Sequence, residues 1–109
     1  MCRALKVLCV AENGPALAAL QRAAVSADWE LARGATNGSD ALRQLHEERP
    51  HVVVVFGPFE GFIRSAIEAY PSIRVVADRE LPGASVVVGS LEDVRGAVMG
   101  RPRPGGPVR

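Results

Sequence analysis

Cysteine is almost missing from this chain, with two residues in 109, Cys2 and Cys9. Cys9 lies inside the apolar run Val7-Leu8-Cys9-Val10, where a free thiol behaves as a small hydrophobe. Two cysteines make no disulfide framework, and reduced thiols in a cytoplasmic chain are the expectation. Metal-ligand spacing is lacking too. His46 and His51 are five apart, with no Cys-x-x-Cys and no His-x-x-x-His pair on a helix face, so neither a metal nor another cofactor is expected. No apolar run approaches the roughly 20 residues of a membrane span. The start, Met1-Cys2-Arg3-Ala4-Leu5-Lys6, has no signal-peptide core. Charge of one sign is also lacking. A formal net charge of +1 sets up no field toward a membrane surface or nucleic acid, and neither is an expected partner. Glu12-Asn13-Gly14-Pro15 is not a phosphate-binding fingerprint, lacking both the Gly-x-Gly-x-x-Gly spacing and a P-loop lysine. With no nucleophile–base pair legible either, the chain is not expected to be an enzyme.

What is present is core. Hydrophobic residues make up 48% of the sequence, enough for one compact domain over residues 1–100. The tail 101–109, rich in Pro, Gly and Arg, is expected to be disordered. Residues 6–11 read as a first strand, continuously apolar after Lys6 and suited to a parallel strand covered on both faces. Asn13 and Pro15 then open a helix to about residue 26, with Leu17, Leu20 and Ala24 on one face. Residues 29–34 read as a weaker, edge strand. Asn37-Gly38 is a turn, and Ser39 is placed to cap a helix over about 40–48 with Leu42 and Leu45 inward. Pro50 stops that helix and opens the apolar strand that ends at Phe56.

A third helix is expected over about 61–70, where Ile63, Ala66, Ile67 and Tyr70 fall at i, i+3, i+4, i+7. Strands follow at 73–77 and 85–88. Ser90, with Asp93 three residues on, opens a last helix with Leu91, Val94 and Val98 as its buried stripe. Alternating strands and helices imply a doubly wound α/β sandwich, and five strands suggest a parallel sheet of order 2-1-3-4-5.

Particular residues sharpen this. Glu30-Leu31, Ala35-Thr36-Asn37-Gly38, Ala41-Leu42, Arg49-Pro50 and the run 51–57 together resemble the middle of a bacterial response-regulator receiver domain. The resemblance extends over about residues 5–99 and implies a flavodoxin/CheY-like fold. In that family two acids at the end of the first strand and an Asp after the third bind magnesium. The same Asp is phosphorylated, while a Thr or Ser ending the fourth strand and a Lys ending the fifth contact the phosphoryl oxygens.

Matched position by position, this chain departs from the pattern. The acid pair falls on Ala11 and Glu12, and the nucleophile on Phe56. The Thr/Ser position falls on Ala77 or Asp78, and the Lys position on Ser90, better explained as a helix cap. Phenylalanine has no oxygen to phosphorylate. Large apolar residues are more often buried than exposed, so Phe56 and Phe59 read as a plug in the vacated acid pocket. The resemblance therefore implies a degenerate pseudo-receiver whose function lies in binding.

Residues 78–84 are too few for a helical crossover, which needs about a dozen. The pattern's fourth helix is accordingly expected to be missing or reduced to a turn, although a hairpin with an antiparallel last strand competes. Its loss would uncover apolar residues around Val75, Leu81, Val86, Val88 and Val94 as an interface. The expected function is a phosphorylation-independent interaction or dimerisation module in bacterial signalling or transcriptional regulation, with a protein partner or a second copy. The alternative is a small-molecule sensor using a pocket rimmed by Glu12, Phe56 and Asp78. In receivers of this type a helix-turn-helix domain usually follows; none is expected here.

Overall fold

Apolar runs flanked by turn-formers build a sheet through the middle of the molecule. In the computed structural model, which describes residues 5–25 and 29–99, β1 is Leu5–Ala11, β2 Trp29–Leu31, β3 Val52–Phe56, β4 Arg74–Ala77 and β5 Val86–Val87. All pairings are parallel and the order is β2-β1-β3-β4-β5. The doubly wound five-stranded sheet expected from the sequence is thus the observed one. Cys2 and the tail 101–109 lie outside the described residues.

Among the described residues four helices cover the sheet: α1 Gly14–Ala24, α2 Gly38–Glu48, α3 Glu60–Ala69 and α4 Val94–Met99, the last preceded by a 3-10 turn at Leu91–Asp93. Strand side chains alternate between faces. Val7, Cys9, Val54 and Val76 meet Leu20, Ala24, Val94 and Val98 from α1 and α4. Leu8, Val10, Val53, Val55 and Val75 meet Ala41, Leu45, Phe62, Ile63 and Ala66 from α2 and α3. Both faces are dry at the strand centres, which is why residues 7–11 and 52–55 read as unbroken apolar runs.

Helix starts follow asparagine chemistry. The Asn13 side chain accepts the Ala16 N–H at 2.8 Å and caps α1. In α2 the cap is Asn37 rather than Ser39. Its Oδ1 accepts the Asp40 N–H at 2.8 Å, and the helix begins two residues earlier than expected, at Gly38. At the last helix Ser90 does occupy the cap position, yet its hydroxyl makes no capping bond. The tight 3-10 turn gives the Asp93 N–H to the Ser90 carbonyl at 3.2 Å, taking the donor that the hydroxyl would have met. One buried polar residue was not anticipated. Gln44 accepts the Gly34 N–H at 3.0 Å and donates to the Gly34 carbonyl at 2.6 Å, satisfying a loop backbone beside β2.

The crossover between β4 and β5 contains no helix, and β5 is nevertheless parallel. The register explains how. β5 starts level with Val76, near the far end of β4, so the chain retreats by only a couple of residues before pairing again. The loop folds back over β4. Ser85 donates its N–H to the Val75 carbonyl at 2.8 Å, its hydroxyl accepts the Val75 N–H at 3.2 Å, and Leu81 packs on the α2/α3 face.

This corrects the expected interface. Val75, Val88 and Val94 are fully buried, Val75 beneath α3 and the returning loop, Val88 and Val94 on the α1/α4 face. Leu81 and Val86 are half-buried. The exposed apolar residue of the region is Val87, at 40%. Its parity is opposite to that of Val86 and Val88, so it points to the side where a covering helix would lie.

The shortened crossover turns on Gly83, at φ +92°. A Cβ there would stand 2.5 Å from Ile67 Cδ1 and 3.1 Å from Ile63 Cγ2. Gly83→Ala is expected to lower stability by about 1–3 kcal/mol through strain and displacement of Ile67. A reduced urea midpoint at unchanged m-value is the readout; an unchanged midpoint would mean the loop relaxes freely.

Candidate functional site

The strand ends at the C-terminal edge of the sheet bring Ala11, Phe56, Ala77 and Asp78 together. Ala11 and Phe56 are direct register partners as the last residues of β1 and β3. Ala77 ends β4 opposite Val55, and the Asp78 N–H continues the ladder to the Val55 carbonyl at 3.2 Å. Ala11 and Ala77 are fully buried, Phe56 and Asp78 are half-buried, and Glu12 and Ser90 are exposed. Ser90 belongs to the start of the last helix and makes none of the contacts described below.

The two phenylalanines part company at this edge. Phe56 packs on the α1/α4 face and Phe59 on the α2/α3 face. Between them the chain turns at Gly57, with φ +135° and the Phe59 N–H bonded to the Gly57 carbonyl at 2.9 Å. A Cβ on Gly57 would lie 2.7 Å from Glu12 Cγ and 2.8 Å from Phe59 Cε2. Glycine is needed there for both the backbone angle and the close approach.

Asp78 is the centre of the polar chemistry. Its Oδ1 accepts the buried Gly57 N–H at 3.2 Å and the Arg79 Nε–H at 3.0 Å, and its Oδ2 accepts Arg79 Nη2–H at 3.0 Å. Burial pushes the Asp78 carboxyl up, but the Arg79 bonds and charge and the Gly57 N–H outweigh it and hold the group below its ordinary value. Arg79 is raised in turn, first by its hydrogen bonds to Asp78 and then by the charges of Asp78 and, more weakly, Glu12. Arg79 did not stand out in the sequence. The adjacent Asp78-Arg79 pair was the available signal, but its meaning depends on Gly57 arriving from another strand.

A magnesium ion of the kind the receiver pattern implies does not fit these residues. Such a cation wants about six oxygens. Ala11 and Phe56 offer no side-chain oxygen, and both Asp78 oxygens are engaged by Arg79. Among the described residues no group of three or more His, Cys, Asp or Glu stands close enough to hold a metal. Nor is any described helix long and apolar enough to cross a membrane. A shallow cavity of about 490 Å³ opens at the opposite, N-terminal edge of the sheet, between Trp29, His51, Ser72 and Arg74, away from the strand ends just described.

No protein-family model matches the chain, and no curated protein matches it by sequence. Solved structures match it by shape. A receiver domain protein (CheY-like) from Methanospirillum hungatei JF-1 aligns over 90% of this chain and 93% of its own, at TM-score 0.74 and 11% identity. The response regulator domain of Thermotoga maritima CheB aligns over 90% and 92%, at TM-score 0.70 and 15% identity. A signal receiver domain of an HD domain-containing protein from Pseudomonas fluorescens Pf-5 is 20% identical at TM-score 0.61. That alignment spans 69% of this chain and 63% of the other, less than two thirds of it. The fold of this chain is the receiver fold, with the helix between the fourth and fifth strands absent.

Proposed function

We propose that the chain is a phosphorylation-independent receiver module of bacterial signal transduction or transcriptional regulation, working by protein contact rather than catalysis. The observation that carries this reading is the pairing of Phe56 with Ala11 at the strand ends. Where the receiver pattern places its nucleophile and a metal-binding acid, this chain has two side chains with no oxygen. The acid at the fourth strand's end supports the same reading, because Asp78 is neutralised by Arg79. The fold places the chain among structures described as response regulator and signal receiver domains, and signalling by contact is what such a shape retains without the chemistry.

The contact surface in this reading is the outer edge of the sheet at β5, and the occupant is a second copy of the chain. β5 is a short edge strand with Val87 exposed. Beside it lies a shallow depression of about 410 Å³ lined by Glu80, Leu81, Pro82, Ala84 and Val87. An open strand edge offers backbone groups for pairing, and the apolar patch offers area to bury.

The test is solution mass by light scattering over a concentration series, with and without acetyl phosphate and magnesium, followed by intact mass spectrometry. Association to a dimer is expected, unchanged by the phosphodonor, with no phosphoryl adduct. An adduct on any aspartate would overturn phosphorylation independence, and a monomer at every concentration would overturn self-pairing.

A further inference from the structure

The geometry points to a latent oxyanion site at this edge, built by the Gly57 amide and the Arg79 guanidinium and filled by the chain's own Asp78 carboxylate. The site has the elements such a ligand needs. Gly57 is buried, so its N–H lacks water and requires an acceptor. Arg79 presents Nε and Nη2 side by side, the planar fork that matches a carboxylate, sulfate or phosphate. The two donor groups come from different segments, the turn after β3 and the crossover after β4, and they converge on one anionic group.

Asp78 holds this site in the structure, tethered beside Arg79 at an effective concentration that a dissolved anion rarely matches. The consequence rests on the pseudo-receiver reading given above. In the receiver pattern a phosphoryl group on the third strand is contacted by a residue ending the fourth. Here the ends of those two strands are joined by a carboxylate supplied in cis, so the junction is made without any modification. Glu12, the other acid at this edge, lies across Gly57 and adds to the field on Arg79. It makes no hydrogen bond to either donor among those described.

Removing the tenant exposes the site. Asp78→Ala leaves the Gly57 N–H and the guanidinium free, and Arg79 is 48% exposed, within reach of solutes. Inorganic phosphate titrated at constant ionic strength is expected to raise the melting temperature of Asp78→Ala, saturably, by on the order of 5 °C more than that of the wild type. Adding Arg79→Met to Asp78→Ala should abolish the rise. A second measurement needs no variant: in a pH titration of the wild type, the Gly57 amide proton should shift with a carboxyl transition centred below the ordinary aspartate range. An equal phosphate response in wild type and Asp78→Ala would overturn the inference, as would a Gly57 amide that does not titrate. If Asp78→Ala does not fold, the amide titration decides alone. Either failure leaves the wild type without a phosphoryl adduct, and so stands apart from a failure of the functional reading, which an adduct would signal.

Discussion

Replacing Phe56 with aspartate is expected to cost the fold about 2–4 kcal/mol at neutral pH. Two effects add. A fully buried Phe truncated to Ala loses about 3–5 kcal/mol; Phe56 is half-buried, so its packing against the α1/α4 core accounts for roughly half of that. The rest is electrostatic. The new carboxylate sits partly desolvated, in register with buried Ala11, at an edge that already carries Glu12 and Asp78. Phe56→Ala separates the two effects because it removes packing without adding charge. The excess cost of the aspartate over the alanine should shrink as pH falls and the introduced carboxyl takes up a proton.

Urea denaturation of the three proteins at pH 7 and pH 4 measures all of this. Equal stability of wild type and Phe56→Asp would mean that the ring contributes nothing to the core. The same variant bears on function. A restored carboxylate alone should not gain phosphoryl transfer, because Ala11 still provides no ligand and Asp78 remains bound by Arg79.

Alkali is expected to destabilise the protein through Cys9. This thiol lies fully buried between strands, opposite Val54, and burial pushes its pKa up to about 12 from an ordinary 9.0. In the folded chain the proton therefore stays on sulfur, while in the unfolded chain it leaves above pH 9. The unfolded state binds fewer protons in that window, so stability is complete below about pH 9 and falls as pH rises toward 12. The slope approaches about 1.4 kcal/mol per pH unit where the unfolded thiol is fully ionised.

Other groups also lose protons in alkali, so the informative quantity is the difference from Cys9→Ala. The variant should be less stable than wild type at pH 7, from lost packing, and the gap should narrow and reverse as pH rises past 10. A constant gap up to pH 11 would mean that the folded thiol ionises as readily as the unfolded one. The same burial makes Cys9 inert to alkylating reagents in the native state, and labelling at this position should report unfolding.

Much of this molecule could be read before it was folded. Unbroken apolar runs at residues 7–11 and 52–55 announced strands covered on both faces, because a half-exposed strand would have alternated. Asn13 and Pro15 marked the first helix, and spacing at Ile63, Ala66 and Ile67 marked the third. All of these are local signals, carried by residues within a turn or two of each other.

What the tertiary structure alone decided depended on register. The direction of β5 followed from its starting level with Val76, a fact that no stretch of residues 78–85 encodes. The burial of Val75 followed from a loop that folds back through Ser85, where sequence reasoning had expected an open face. Asp78 read only as the rim of a pocket with Glu12 and Phe56, and it became an anchored anion when Gly57 was delivered from the end of β3. Periodicity along the chain states which side of an element is apolar. Which groups meet across elements is set by the pairing of distant strands, and the chemistry at this edge was decided there.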